Sequence, residues 1–555
     1  MDKMVLVSNA LEIVKSNENI SVLAGPGSGK TEILAQRVSF LLQTKSCPFP
    51  YRILAISFKR DSATNLEYRA LLRCGIELIS RFDSLTIDAF TKGILDRFRL
   101  ALPEDIRPIK NYKIQDKKKN LLNNNKNILS FKRIQNLATW LIKNNKHLHN
   151  AIKQTYKYVL LDEFQDTTAT QYNFIKESFM GSSTILTAVG DIKQTIMIFA
   201  GAEKKIFDKF ERDFGAKRIP LLINYRSKKK LQYIQSFFAE KLDPNIKIRA
   251  EYQKNDEGDC KIFHFTNSER EAEIIALEIK KHIDKGISPE QICIIYRRKD
   301  TRNKIDIYRG KIIQKLDILG IPARFENIYQ EFLSEPIIKL VVSFIRLSLK
   351  EQSIEDWNNI YNLLIYIKGF NEDTKLGRYQ KLNLIIYNLS KALQKKFLRI
   401  ETIQDLSKIY RPLINIFGFA ELSTIYPQYL SRNYLKQVID KFNFYFWQQY
   451  QIQKDWSKSL ESLLGKDIIP IMTVHKCKGL EFEVVIFIGL EDNAFFSYQR
   501  NRFSELCTFF VALSRAKSKI YFTNCDKRED SLQSINRIKE IYDIFAQSGI
   551  KQISL

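Results

Sequence analysis

Residues 20–31 read ISVLAGPGSGKT, an apolar run followed by a glycine-rich turn and a basic–hydroxyl pair. The continuation, EILAQRVSFLL, repeats apolar side chains at helical spacing. The segment therefore predicts a short strand, a tight loop and a helix N-terminus, which is the context of a phosphate-binding loop. Glycines let the backbone turn and present N–H groups to phosphate oxygens, and the helix dipole adds to that attraction. A glycine-rich turn that binds no nucleotide is disfavoured, because the loop and both flanking segments match the pattern of a phosphate-binding loop.

The predicted nucleotide site follows from this loop. The Lys30 ammonium is expected to reach the β- and γ-phosphates, and the Thr31 hydroxyl to ligate Mg²⁺. The usual pattern begins with glycine where this chain has Ala24. The predicted nucleotide-binding residues of the loop are Ala24, Gly25, Pro26, Gly27, Ser28, Gly29, Lys30 and Thr31.

A second segment, YVLLDEFQDT (158–167), ends an apolar run in two adjacent acids. Carboxylates beside a buried strand cost free energy unless a cation or hydrogen bonds compensate them. A nucleotide bound at the phosphate loop would bring Mg²⁺ as that cation. Asp162 is therefore predicted to hold Mg²⁺, and Glu163 to polarise the water that attacks the γ-phosphate. Hydrolysis does not require Gln165 or Asp166. We expect both to link this segment to neighbouring motifs, with Gln165 directed toward a second lobe.

The composition indicates a folded protein of three or four domains, with 555 residues and 45% hydrophobic content. A net charge of +26 favours a polyanionic partner, although the Lys, Asn and Ile bias of A/T-rich genomes is an alternative cause. Seven scattered cysteines without a Cys-x-x-Cys pair indicate a reducing compartment. Neither a signal-peptide pattern nor an apolar run of bilayer length occurs in the sequence, so the prediction is a cytoplasmic protein with no membrane partner.

The segment DEFQDTTATQ (162–171) resembles the second motif of superfamily 1 helicases of the UvrD/Rep/PcrA type. Further segments resemble the other motifs of that family in the family's order and span nearly the whole chain. They are AGPGSGKT (24–31), ILAISFKRDSA (53–63), LTIDAF (85–90), VGDIKQTIMIFAGA (189–202), LLINYRS (221–227), IMTVHKCKGLEFEVV (471–485) and FVALSRAK (510–517).

The resemblance implies roles for residues outside the phosphate loop. Gln194 would sense the γ-phosphate or the attacking water, and Arg226 and Arg515 would stabilise transition-state charge from a second lobe. Glu481 would bond the nucleotide ribose. The resemblance also implies ATP as the substrate and Mg²⁺ as the cofactor. Single-stranded or tailed DNA is the implied partner, and its predicted contacts are Phe58, Phe90, Phe199 and His475.

The chain also departs from the family pattern. The family's adenine-reading glutamine is missing, because no Gln precedes Gln36, so the sequence does not secure a strict ATP preference. Asp88 replaces a residue suited to phosphate contact. Met197 and Ala200 replace a tyrosine and a coupling arginine, which predicts looser coupling of hydrolysis to strand grip. None of these changes removes a hydrolytic group.

The predicted fold class is α/β, with two RecA-like cores of parallel sheet, each interrupted by a mainly helical insertion. The first core is predicted at 1–95 and 150–215, with a short insertion at 96–149. The second core is predicted at 216–345 and 466–555, with a reduced insertion at 346–465.

The expected function is an ATP-dependent 3′→5′ DNA helicase or translocase. One alternative is a partner-bound ATPase or DNA-end sensor with little unwinding, acting beside a separate nuclease as in Gabija-type anti-phage defence. The short insertions and the altered segment at 189–202 favour that alternative. An RNA helicase and a non-enzymatic nucleotide-binding scaffold are disfavoured, the first by the FQDT signature and the second by intact Lys30, Asp162, Glu163 and Arg515.

Overall fold

The computed structural model describes residues 8–58, 60–110, 112–114, 125–198, 201–203, 205–221, 223–243, 257–297, 310–349, 353–368, 376–430 and 432–555. The chain divides into two compact units. The first comprises Met1–Ile321 and Ile471–Leu555, and the second is Pro322–Pro470.

The first unit contains a six-stranded parallel sheet in its N-terminal part. Its strands are β1 (Ile20–Ala24), β2 (Arg52–Ser57), β3 (Phe82–Thr86), β4 (Tyr156–Leu161), β5 (Ile185–Gly190) and β6 (Lys217–Leu221). The strand order is β3–β2–β4–β5–β1–β6, and neighbouring strands are parallel. This sheet and its helices are called the first core below.

Apolar side chains on both faces explain why the first sheet is covered on both sides. In β2, Ile53 and Ala55 belong to one hydrophobic cluster, whereas Leu54 and Ile56 belong to another. Successive side chains of a strand point to opposite faces, so a continuous apolar run requires helices on both. Those helices are Ser8–Lys15, Lys30–Gln43, Arg60–Ile79, Ile87–Phe98, Phe131–Asn144, Lys146–Thr155, Ala169–Phe179 and Ile206–Phe214.

The predicted insertion at 96–149 shares a hydrophobic core with the first sheet. Leu129, Ile134 and Leu141 pack in the same cluster as Leu54 and Val159. Besides helices, this segment contains two short parallel strands, Lys113–Ile114 and Ile128–Leu129. Burial against the first sheet therefore ties the described part of this segment to the first core.

A second parallel sheet lies mainly in the C-terminal part of the first unit. Its strands are β7 (Asp259–Asn267), β8 (Ile292–Tyr296), β9 (Ile469–Thr473), β10 (Phe482–Ile488), β11 (Ala516–Arg528) and β12 (Gln552–Ser554), in the order β9–β8–β10–β11–β7–β12. The short strand Ser531–Leu532 pairs antiparallel with β11. The helices are Lys229–Leu242, Ser268–Asp284, Gly310–Ile318, Val474–Cys477, Arg502–Leu513 and Lys539–Gln547. These elements are called the second core.

The two parallel sheets confirm the predicted α/β fold class, but one boundary differs. Strand β6 pairs with β1 in register from Ile20 opposite Lys217 to Ala24 opposite Leu221. It therefore belongs to the first sheet, although the second core is predicted to begin at 216. The free edge of β1 offers the backbone of β6 its hydrogen-bond partners, and Ile219 and Leu221 bury their side chains in the first core.

The second unit is helical and has its own core. It contains the short strand Ala323–Phe325 and the helices Glu326–Leu333, Pro336–Ser348, Ile354–Lys368, Leu376–Phe397, Ile403–Ser407, Tyr410–Phe417, Phe419–Ile425, Arg432–Gln453 and Trp456–Leu464. The insertion predicted at 346–465 begins inside the helix Pro336–Ser348. The structure places its start earlier because Ile338 and Phe344 of that helix are fully buried among the helical core.

Candidate nucleotide-hydrolysis site

The phosphate loop connects β1 to the helix Lys30–Gln43, as its sequence predicts. Gly27 and Gly29 have φ values of 68° and 79°, a region that side chains strongly disfavour. A Cβ at Gly27 would also lie 2.2 Å from Asn224 Oδ1. Glycine at position 27 thus allows both the turn of the loop and the close approach of the segment after β6.

Lys30 occupies the first residue of the loop's helix. Its Nζ donates to the Gly25 carbonyl oxygen at 3.4 Å, and Ser28 Oγ donates to the same oxygen at 2.9 Å. Removal from water lowers the pKa of Lys30, and the Glu163 and Asp191 carboxylates oppose that shift. The lysine, the half-buried Thr31 and the loop N–H groups lie at a helix N-terminus, where phosphate binds favourably.

Strand β4 delivers Asp162 to the carboxyl edge of the first sheet. Asp162 is 5% exposed, and its Oδ1 accepts a hydrogen bond from the Glu163 N–H at 3.0 Å. Its Oδ2 is buried and accepts no hydrogen bond from the described residues. Burial and then the Glu163 carboxylate raise the pKa of Asp162 to about 7.

The environment of Asp162 fits a divalent cation. A buried carboxylate oxygen without a donor is stabilised by a bound cation, and Mg²⁺ typically takes one or two carboxylates together with phosphate oxygens and water. Among the described residues, no group of three His, Cys, Asp or Glu side chains forms an all-protein metal cage. The site is thus of the kind that a metal–nucleotide complex completes.

Glu163 follows in a strained backbone conformation. Its φ is 49°, an uncommon value for a residue with a side chain, and such strain concentrates at functional sites. Gln165 Nε2 donates to Glu163 Oε2 at 2.5 Å. Lys478 Nζ lies 3.6 Å from the same oxygen. The carboxylate is therefore held in one orientation by neighbours from both cores.

Gln165 connects the two acidic motifs of the first core. Its Oε1 accepts from the Asp191 N–H at 3.0 Å, while its Nε2 bonds Glu163. A Cβ at Gly190 would lie 2.1 Å from that Oε1, so glycine is required for this approach. The prediction that Gln165 points to the second lobe is wrong, because both of these contacts stay within the first core.

Asp166 makes the contact with the second core instead. The residue is 1% exposed, and its Oδ2 accepts from Lys478 Nζ at 2.5 Å. Lys478 also donates to the Gln194 carbonyl oxygen at 3.0 Å. Sequence reasoning missed Lys478. The signal was a lysine beside a glycine in KCKGLE (476–481), combined with a buried acid that hydrolysis leaves unexplained.

Gln194, the predicted sensor of the γ-phosphate, is in direct contact with Arg515. Arg515 NH2 donates to Gln194 Oε1 at 3.0 Å, and Gln194 Nε2 donates to Asp191 Oδ2 at 2.9 Å. Arg515 also donates to the Val511 and Leu480 carbonyl oxygens. Burial, followed by the charge of Arg226, lowers the pKa of Arg515 to about 10. The side chains of the two cores thus meet at Gln194.

Arg226 and Glu481 form an ion pair beside this contact. Arg226 Nε donates to Glu481 Oε2 at 2.7 Å, and its NH1 donates to the Ser514 carbonyl oxygen at 3.0 Å. Lys517 lies 3.1 Å from the other Glu481 oxygen. Burial opposes the charge of Glu481, but Arg226 and Lys517 lower its pKa overall. The ribose contact of Glu481 and the transition-state role of Arg226 stay predictions.

The predicted DNA contacts have different environments. Phe58 follows β2 and is half-buried, and His475 is half-buried on the helix Val474–Cys477. Phe90 is buried in the first core, where its ring packs edge-on against Tyr156 and Phe174. That packing places the Phe90 ring in the hydrophobic core, so we correct its predicted contact with DNA. Phe199 lies outside the described residues, as does Ala200.

Asp88, a departure from the family pattern, has a structural partner. Its Oδ1 accepts a hydrogen bond from Gln135 Nε2 at 2.7 Å. Gln135 belongs to the helix Phe131–Asn144, which packs against the helix Ile87–Phe98 that carries Asp88. The acid thus joins these two helices.

Comparison with known proteins identifies the family of the chain. The family model described as the UvrD/REP helicase N-terminal domain matches residues 7–124 and 101–215, and the UvrD-like helicase C-terminal domain matches 219–402 and 378–527. The chain belongs to the UvrD/Rep helicase family. The enzyme class predicted from the motifs is thereby confirmed.

Individual relatives cover most of this chain at low identity. A probable DNA helicase II homolog of Mycoplasma capricolum is 24% identical, over 92% of this chain and 83% of the relative. The ATP-dependent DNA helicase Rep of Buchnera aphidicola from Acyrthosiphon pisum is 25% identical, over 94% of each chain. The ATP-dependent DNA helicase PcrA of Staphylococcus aureus is 24% identical, over 93% of this chain and 83% of the relative.

The described helices were also compared with the length and hydropathy that a bilayer requires. None of them is long and apolar enough to cross a membrane.

Proposed function

We propose that this helicase-family protein hydrolyses ATP on single-stranded DNA and uses that hydrolysis to move 3′→5′ and to unwind tailed duplexes. The observation that carries the proposal is the contact of Arg515 in the second core with Gln194 in the first, beside the phosphate loop and Glu163. An ATPase assembled from two cores changes its site whenever the cores move, which is what a motor requires.

The chemistry assigns a role to each residue of the site. Thr31 and Asp162 would hold Mg²⁺, which supplies charge neutralisation to the phosphates of ATP. Lys30 binds the β- and γ-phosphates, and Glu163 accepts a proton from the attacking water. Gln194 orients that water. Arg515 and Arg226 stabilise the charge that develops on the transferred phosphoryl group.

Movement would follow from the same contacts. ATP draws Arg515 and Arg226 toward the phosphates and closes the cores, and product release lets them part. A base stacked on an aromatic side chain such as Phe58 or Phe199, and a phosphate contact at His475, would hold the strand during each cycle. The 3′→5′ direction is carried over from the family resemblance, and a cytoplasmic location follows from the same proposal.

The test compares duplexes with a 3′ or a 5′ single-stranded tail. We expect ATP-dependent unwinding of the 3′-tailed duplex only. Lys30→Ala should abolish hydrolysis and unwinding together, because the phosphates lose their cation. Preferential unwinding from a 5′ tail would contradict the direction, and normal turnover in Lys30→Ala would contradict the site.

A second candidate is a partner-bound ATPase or DNA-end sensor that hydrolyses ATP with little unwinding and acts with a separate nuclease in anti-phage defence. It is favoured by Ala200, which stands where the family pattern has the arginine that couples hydrolysis to strand grip. Hydrolysis stimulated by DNA without unwinding of either tailed duplex would favour this candidate. Restoration of arginine with Ala200→Arg should then increase unwinding relative to hydrolysis.

A further inference from the structure

A buried lysine of the second core lies among carboxylates of the first. Lys478 is 7% exposed and follows the helix Val474–Cys477. Its Nζ lies 2.5 Å from Asp166 Oδ2 and 3.6 Å from Glu163 Oε2, and it donates to the Gln194 carbonyl oxygen at 3.0 Å. One ammonium group therefore contacts or approaches three residues of the hydrolysis site.

The charge of this lysine depends on the opposite core. Burial of an ammonium group costs several kcal/mol unless an anion compensates it. For Lys478, burial opposes the charge, but Asp166 and then Glu163 raise its pKa overall. Both carboxylates belong to the segment 162–166 after β4 of the first core. The compensated state of Lys478 therefore requires the two cores to be in contact.

Lys478 lies in a short segment between a predicted DNA contact and a residue of the hydrolysis site. His475, a predicted DNA contact, lies three residues before Lys478, and Glu481, the partner of Arg226, lies three residues after it. Gly479 between them has a φ of 92°, which turns the backbone sharply. The segment 475–481 thus carries a predicted DNA contact, His475, within six residues of two residues of the hydrolysis site. These are Lys478, which lies near Glu163, and Glu481, which pairs with Arg226.

We propose that Lys478 is a positioning residue that orients Glu163 when the cores meet, so that DNA bound by the second core sets the rate of hydrolysis. The lysine stays protonated and exchanges no proton with water or nucleotide. Its ion pair with Asp166 fixes the ammonium, and the ammonium together with Gln165 fixes Glu163 Oε2. The inference rests on the proposed DNA-dependent hydrolysis and deepens it.

The test uses Lys478→Met, Asp166→Asn and the double variant. The single Lys478→Met change leaves the buried Asp166 without its lysine, so it combines a loss of stability with any loss of positioning. The double variant removes both charges and relieves that instability. It therefore separates the two roles, also where Lys478→Met alone does not fold.

We expect the double variant to unfold near the wild-type temperature while its DNA-saturated kcat falls roughly 100-fold, the effect of a small misplacement of a catalytic group. KM for ATP should change by less than about 3-fold, because the phosphate loop is intact. Recovery of wild-type kcat in the double variant would show that the pair only stabilises the protein and would overturn the proposal.

Two controls complete the design. Lys176→Met removes a lysine that pairs with Asp213 at 3.0 Å within the first core, and it should leave kcat unchanged. Glu163→Gln should be inactive in the same assay. If the wild type hydrolyses ATP without stimulation by DNA, the proposed function fails and this proposal with it. If the wild type is stimulated and the double variant is fully active, only the positioning role fails.

Discussion

Two buried lysine–aspartate pairs lie in the hydrolysis site, and they differ in how far apart their partners are in the chain. Lys193 and Asp191 lie in one loop after β5, with Nζ 2.7 Å from Oδ1. Lys478 and Asp166 come from different cores. Both pairs are similarly buried, yet only the second requires the cores to meet. The chemistry of an ion pair thus says little about its role until its connectivity is known.

Among variants that leave the phosphate loop intact, Glu163→Gln should have the largest effect on activity. Glu163 is approached by the lysine of the cross-core pair, and a neutral amide cannot accept the proton of the attacking water. We expect turnover to fall by at least about 100-fold while ATP binding is retained. Steady-state hydrolysis and equilibrium binding of a fluorescent ATP analogue measure the two effects. Unchanged turnover would remove Glu163 as the base.

Lys193→Met should affect stability more than regulation. Removing one partner of a buried pair leaves an uncompensated charge on Asp191 and should lower the free energy of unfolding by about 3–5 kcal/mol. Because this pair lies within one core, the ratio of DNA-stimulated to basal hydrolysis should stay at the wild-type value. Chemical denaturation and hydrolysis assays check both. A lower ratio of DNA-stimulated to basal hydrolysis with an unchanged free energy of unfolding would contradict the distinction between the two pairs.

Phe58→Ala tests a similar comparison between two aromatic residues, of which Phe58 is a predicted DNA contact and Phe90 packs in the core. Loss of a stacked base should weaken single-stranded DNA binding by about 1–3 kcal/mol. Phe90→Ala is the matched control, because Phe90 packs in the core and its loss should destabilise folding without selectively weakening DNA binding. Fluorescence anisotropy with labelled oligonucleotides measures affinity. Equal losses of affinity at equal folded fraction would contradict the assignment.

Lys176→Met should have the smallest effect. Its pair with Asp213 is partly exposed, and solvent screening limits such pairs to roughly 1 kcal/mol or less. Thermal unfolding should shift by a few degrees at most, and hydrolysis should be unchanged. A large loss of activity would show that charge removal anywhere in the first core impairs the site, which would weaken the comparison.

These contrasts also explain what the sequence could and could not predict. The positions of the phosphate loop and Asp162 at strand ends could be predicted because each directly follows an apolar strand, and Glu163 is the next residue after Asp162. The contact of Asp166 with the second core could not be predicted, because its partner Lys478 lies more than 300 residues later in the chain. For Gln165, polarity alone could not distinguish a contact within the first core from one beyond it.

The boundary errors have a similar cause. Strand β6 reads KRIPL, and only Ile219 and Leu221 are buried, a pattern that an edge strand of either sheet could have; only its pairing with β1 assigns it to the first sheet. Phe90 is a comparable case, because an aromatic residue in a segment that resembles a family motif has the same identity whether it stacks on a base or fills the core. Burial decides between the two, and burial depends on helices that come much later in the chain.

The most direct test of the account is the rate of ATP hydrolysis by the wild-type protein as single-stranded DNA is added. We predict that the rate rises with DNA concentration to a plateau and that Lys30→Ala abolishes it. A rate that stays constant from zero to saturating DNA would contradict the claim that the site is completed by the meeting of the two cores on DNA.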